Sequence, residues 1–225
     1  MLPIIFHAWC QCPEPQEESN ATWIPFSMLA LIIITILWNL SANNSGDGCF
    51  HGSNRVTMYS GNHKRCDEIV KGDVVLLSNN QPARVRCVAK ILNNSSSNIR
   101  LLKFPCGLII TDYHPIKIKS WWCFPKNIAS AAPFIDEFDA VYSFLLEMDD
   151  GSSVKHGLQV QGIECAPLGH NITDDIVRHN FFGNFEAVKA ALINVSPEQF
   201  DEGLVEITNM QRGPEGEVCG FLFQP

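Results

Sequence analysis

From residue 84 to residue 91 the chain alternates. Val85, Cys87, Ala89 and Ile91 fall on one face, and Arg84, Arg86 and Lys90 on the other. A two-residue period predicts a half-buried strand, and it makes Cys87 a core side chain. Shorter runs of the same kind recur on both sides. Residues 55–59 read as a strand closed by the turn Ser60-Gly61-Asn62, where Gly61 supplies the positive φ. Residues 68–77 read as a turn at Lys71-Gly72-Asp73 feeding an apolar strand. After the polar turn 93–98 come strands at 99–104, 107–111, 116–122, 141–148 and 158–165. About eight short strands with closely spaced turns predict an all-β domain built from non-local pairings.

The period changes at both ends. Phe185, Val188, Leu192 and Ile193 stand at helical spacing, and Ser196-Pro197 is a helix start with Ser as N-cap and Pro in the first position. Residues 203–207 return to a strand pattern. At the other end, residues 23–40 form an uncharged run of 18 residues with Trp23 and Trp38 near its two ends. That is just long enough for a transmembrane helix with interfacial aromatics. The nearest basic residues, Arg55, Lys64 and Arg65, lie downstream, which places the following domain on the cytoplasmic side of a single-pass anchor. If the run does not span, a soluble cytoplasmic protein is expected. The organisation read from the chain is a tail at 1–22, a candidate transmembrane helix at 23–40, a small polar linker at 41–48 and one domain at 49–221.

Composition narrows the function classes. The 225 residues carry a net charge of −8, and no basic cluster exceeds His63-Lys64-Arg65, which argues against nucleic acid as a partner. The nine cysteines are odd in number and lack framework spacing. Cys10-x-Cys12 lacks the second pair that a structural zinc site needs. No metal or cofactor site is expected, and reduced thiols are favoured over a disulfide scaffold.

Cys49 opens the β domain directly after Gly48. A thiol there can attack the carbonyl of the residue before it through a small ring, so effective molarity is high. The product is a thioester, and the leaving group is the Cys49 nitrogen, which must gain a proton. Histidine suits that task, and His114, held extended by Pro115, is the candidate. Thr111, three residues earlier, can orient the imidazole or bond the scissile amide. His170 and Asn171 form a late His-Asn pair.

These segments resemble the Hint superfamily, the self-processing domains of hedgehog proteins and inteins. The resemblance rests on Cys49-Phe50-His51-Gly52-Ser53, Lys71-Gly72-Asp73-Val74, residues 107–116 through Thr111 and His114, Trp122-Cys123-Phe124-Pro125, and Val141-Tyr142-Ser143-Phe144-Leu145-Leu146. Leu168-Gly169-His170, His179-Asn180-Phe181-Phe182-Gly183 and the tail around Gly216-Glu217-Val218-Cys219-Gly220 look like the Vint branch.

The resemblance implies a pseudo-twofold, horseshoe-shaped all-β Hint fold over about residues 48–221, with a short helical element near its C-terminus. It implies Cys49 as nucleophile, Thr111 and His114 as its Thr-x-x-His pair, and His170 as the late histidine, with Asn171 the position whose side chain cyclises in inteins. Ile172 follows Asn171, so full splicing lacks an acceptor. Lys90 stands roughly where some hedgehog-type domains carry an acidic residue. The expectation is an autoprocessing enzyme whose substrate is its own N-terminal segment, cut at Gly48–Cys49. Two alternatives stay open: a membrane-tethered, non-catalytic interaction module, and a cysteine hydrolase acting in trans.

Overall fold

The computed structural model describes residues 48–94, 99–174 and 176–223, so the candidate membrane helix at 23–40 lies outside the described residues. Among the described residues no helix is long and apolar enough to cross a membrane. In chain order the strands are β1 (Phe50–His51), β2 (Arg55–Thr57), β3 (His63–Arg65), β4 (Val74–Leu76), β5 (Pro82–Leu92), β6 (Leu101–Lys103), β7 (Ile109–Thr111) and β8 (Ile116–Ile118). There follow β9 (Trp121–Cys123), β10 (Ala132–Pro133), β11 (Ala140–Glu147), β12 (Leu158–Val160) and β13 (Ile163–Cys165). Helices α1 (Phe185–Val195) and α2 (Pro197–Glu202) come next, and then β14 (Leu204–Ile207), β15 (Asn209–Arg212) and β16 (Val218–Leu222).

β5 and β11 pair antiparallel along nearly their whole length and form the spine. Along β11 the alternation is unbroken: Val141 and Leu145 enter one apolar core, Phe144 and Leu146 a second. β5 has to keep step with it through a bulge. Leu145 pairs with Cys87, but Leu146 pairs with Val85, which leaves Arg86 as the extra residue. Before the bulge Ala83 and Val85 face the second core; beyond it Cys87, Ala89 and Ile91 face the first. One strand with a single odd-numbered apolar row thus serves two cores on opposite faces of a sheet.

An eight-stranded sheet runs β10-β6-β7-β1-β11-β5-β14, with β4 also on β5, and a six-stranded sheet runs β3-β2-β12-β13-β8-β9. Two stretches read from sequence as single strands are hairpins. Residues 116–122 fold back between Ile118 and Trp121, with Lys119 at φ 58°. Residues 158–165 fold back at Gln161-Gly162, whose φ values of 52° and 76° suit a two-residue hairpin turn. Neither turn interrupts the apolar pattern enough to be seen by periodicity.

The tail matches its pattern. Asn184 caps α1 by accepting from the Ala187 N–H, and Ser196 caps α2 by accepting from the Gln199 N–H. Phe185, Val188 and Leu192 bury one face of α1 in the first core. Gly203 ends α2 at φ 96°, and a Cβ there would lie 2.3 Å from Lys71, so both conformation and space require glycine. β14 then lies parallel to β5, with Val205 opposite Ala89.

Candidate active site

The residue at the head of β1 sits between two strands. Phe50 pairs with Ile110 of β7 on one side and with Tyr142 of β11 on the other, so Cys49 heads β1 in the middle of the larger sheet. Cys49 is 1% exposed and belongs to the first core. The Thr111 N–H donates to the Cys49 carbonyl at 3.1 Å, extending the β1–β7 ladder by one residue. The Cys49 N–H, on the peptide bond to Gly48, donates to Thr111 Oγ1 at 3.1 Å. Of the two roles open to Thr111 from sequence, the structure shows the bond to the Cys49 amide.

β7 is itself held by a residue that pattern reading missed. Asn54 is fully buried, and its side-chain amide donates to the Ile109 carbonyl at 2.5 Å and accepts from the Ile109 N–H at 2.8 Å. This paired clamp stands two residues from Thr111 and fixes the strand end that carries it. A lone Asn after Gly-Ser gives no sequence signal, because its partner is 55 positions away.

His114 is reached by a tight turn, in which its N–H donates to the Thr111 carbonyl at 3.2 Å. The turn is pinned from outside by Arg100, which pairs with Asp112 at 2.6 Å. β13 pairs with β8, Cys165 opposite Ile116, and the ladder continues as Ala166 N–H to the Pro115 carbonyl at 3.0 Å. That continuation sets the Ala166 carbonyl 2.8 Å from His114 Nε2. A carbonyl only accepts, so the neutral imidazole carries its proton on Nε2 and leaves Nδ1 as a bare lone pair.

Nδ1 is buried and makes no hydrogen bond. It lies beside Gly48: a Cβ there would be 3.5 Å from it. Burial pushes His114 down to about 3, against a smaller upward pull from the Ala166 and Cys49 backbones, and His170 lowers it further. The Phe50 ring packs against the imidazole with centroids 4.4 Å apart. An unpaired buried acceptor costs roughly 1–3 kcal/mol, which is the kind of local cost found where a group is reserved for chemistry. The contact at Gly48 is an ordinary one. The absence of a side chain there is therefore not a steric requirement.

His170 is 2% exposed and close enough to lower the proton affinity of His114. Its Nδ1 accepts from the Ile172 N–H at 2.9 Å, so its proton sits on Nε2. His179, read from sequence as part of the His179-Asn180-Phe181-Phe182-Gly183 segment, lies beside it. Its Nδ1 accepts from the N–H groups of Phe181 and Phe182 at 3.1 and 3.0 Å. Burial pushes both histidines down to about 4, and each is neutral at pH 7. The Leu-Gly-His and His-x-Phe-Phe-Gly segments are joined by Gly169 N–H to the Phe182 carbonyl at 2.7 Å and Asn171 N–H to the Gly183 carbonyl at 2.9 Å.

Asn171 itself is exposed, at φ 48°, and its side-chain amide donates to Ser153 Oγ at 2.6 Å. Cys49, Thr111, His114 and His170 gather at one place; the Asn171 side chain turns away from it. Lys90 is no substitute for an acidic group, since it pairs with Glu206 on β14 at 2.8 Å. Among the described residues no group of three or more His, Cys, Asp or Glu side chains is arranged to hold a metal ion.

The Vint family of Hint-domains matches residues 48–220. Among solved structures, the chain is similar to a DnaB intein from Synechocystis sp. PCC 6803 at 14% identity and TM-score 0.38, covering 53% of this chain and 97% of that one. It is similar to the MchDnaB-1 intein at 14% identity and TM-score 0.35, covering 52% and 96%. It is also similar to the gp41-1 intein at 16% identity and TM-score 0.35, covering 53% and 98%. No curated protein sequence matches the chain.

Proposed function

The chain belongs to the Vint family of Hint-domains, and from that premise we propose that it is an autoprocessing domain in which Cys49 converts the Gly48–Cys49 peptide bond to a thioester and cleaves it. The substrate is its own segment 1–48. The observation that carries the reading is the pair of groups on the scissile amide: Thr111 Oγ1 on its N–H, and the lone pair of His114 Nδ1 beside Gly48.

The steps balance without an outside proton. The Cys49 thiol loses its proton to His114 Nδ1 as Sγ attacks the Gly48 carbonyl carbon. The tetrahedral oxyanion collapses, the C–N bond breaks, and Nδ1–H returns the proton to the departing Cys49 nitrogen. Thr111 holds that nitrogen in place. The low proton affinity of His114 keeps the imidazole neutral at rest and makes its protonated form a strong acid at the moment the nitrogen leaves. His170 presents Nε2–H toward the same region and assists breakdown of the intermediate. Water or another nucleophile then releases residues 1–48. If residues 23–40 anchor in a membrane, this cut frees the β domain from it. Full-length protein would then sediment with membranes, and the cleaved domain would not.

The test is direct. Hydroxylamine or a small thiol intercepts thioesters, so either should release a fragment ending at Gly48, read by intact mass. Cys49→Ala should abolish that release. Wild-type protein that stays at full mass through prolonged treatment, while circular dichroism shows it folded, would falsify the reading in favour of a binding module.

A further inference from the structure

Ser143 is fully buried on the central strand β11, and its Oγ makes no hydrogen bond. A buried hydroxyl without a partner is uncommon and is unfavourable by roughly 1–3 kcal/mol. Its place in the register suggests why it is there. β1 and β11 pair Phe50 with Tyr142 and His51 with Val141, so the next pair toward the head of β1 is Cys49 with Ser143. Directly opposed residues of an antiparallel pair share a face, with Cβ atoms about 4.5–5.5 Å apart.

The face agrees. Cys49, and the neighbours of Ser143 along β11, Val141 and Leu145, all enter the first core. On the other side of Cys49, Thr111 occupies the equivalent cross-strand position on β7. One row therefore runs Thr111, Cys49, Ser143 across three strands, and then becomes apolar with Ala89 on β5 and Val205 on β14. The scissile residue is flanked by two hydroxyls. That of Thr111 is engaged with the Cys49 backbone; that of Ser143 is uncommitted.

We propose that Ser143 donates its hydroxyl to Cys49 Sγ as the thiol ionises, so that the nitrogen side of the reacting residue is held by Thr111 and the sulfur side by Ser143. The idea rests on the thioester reading above. The chemistry requires such a group, because Sγ sits where water does not reach and a developing thiolate needs a donor. A serine hydroxyl supplies one after a turn about χ1, without adding a charge to the core. No bond is made or broken at Ser143. As Sγ becomes acylated the charge leaves it and the hydroxyl is released.

The experiment compares full-length wild type, Ser143→Ala and Ser143→Thr in hydroxylamine-induced cleavage across pH. Ser143→Ala should keep its circular dichroism and melt no lower than wild type, since the buried hydroxyl removed made no hydrogen bond. Its cleavage should slow by about 10- to 100-fold, the worth of one hydrogen bond to a charged group. The deficit should shrink as pH rises, because the thiolate then forms without help. Ser143→Thr retains the hydroxyl and should cleave within a few-fold of wild type. A wild type that cleaves, beside a folded Ser143→Ala with the same rate and pH profile, overturns the role of Ser143 alone. So does a folded Ser143→Thr as slow as Ser143→Ala. A folded wild type that never cleaves overturns the thioester reading, and this inference with it.

Discussion

Two regions of the domain carry buried histidines and hold them in opposite ways. At the end of β7, a backbone carbonyl, that of Ala166, accepts from His114 Nε2 and leaves Nδ1 as a lone pair. In the loop between β13 and α1, backbone N–H groups donate to Nδ1 of His170 and His179 and leave the proton on Nε2. Burial lowers the proton affinity of all three. The difference lies in what each can offer while neutral: His114 can take a proton and give it back, while the loop histidines can only donate a hydrogen bond. The backbone atom that each ring meets decides its tautomer, and hence the role open to it.

The strongest way to break that comparison is a glutamine exchange. Glutamine can donate a hydrogen bond but cannot shuttle a proton. His114→Gln should lose about 10²–10⁴-fold in cleavage rate, as His114→Ala should. His170→Gln should retain a substantial part of the rate, and His170→Ala should fall below it. Equal losses in His114→Gln and His170→Gln, measured by fragment release, would show that the two regions do the same work.

Thr111→Val tests the positioning side. It removes the acceptor from the Cys49 N–H and should slow cleavage by about 10-fold, within the range for one neutral hydrogen bond. The shape of the pH profile should not change, since no proton passes through Thr111. A shifted profile would place Thr111 in the proton path and blur its distinction from His114.

Acid stability sharpens the comparison from another side. All three folded-state values lie below the unfolded value of 6.5. Below 6.5 the unfolded chain takes up protons that the folded domain refuses. The stabilisation is thus fully present above 6.5 and is lost as pH falls, toward about 4 for His170 and His179 and about 3 for His114. Each group adds up to about 1.4 kcal/mol per pH unit to that slope. Denaturant unfolding at pH 7, 5.5 and 4.5 should show the decline, and His179→Gln should flatten it while leaving cleavage closer to wild type than His114→Gln. The smallest effect is expected from Gly48→Ala, because a Cβ there meets the imidazole at an ordinary 3.5 Å. Release should change by only a few-fold; a much larger loss would mean that Gly48 has a conformational role in the reaction.

How much was legible in advance depends on the range of the interaction. The alternation through 84–91, the helix start at Ser196-Pro197 and the motif segments 49–53, 107–116 and 168–170 are local patterns, and the structure places strand, helix and gathered site residues where they point. The hairpins inside 116–122 and 158–165 were not legible, because a two-residue turn hardly disturbs an apolar run. The bulge at Arg86 was not legible either, since it is defined by the partner strand.

By itself the sequence determined the β class, the helical tail with its Ser196 cap, and the candidates Cys49, Thr111, His114 and His170. Only the tertiary structure decided that Thr111 bonds the Cys49 N–H, that Asn171 turns outward to Ser153, and that Asn54 clamps β7. It also decided which nitrogen of each histidine carries the proton. The physical reason is the same throughout. Residue type sets which hydrogen bonds a group can make, but Ala166 stands 52 positions from His114 and Thr111 stands 62 from Cys49, so folding chooses which are made.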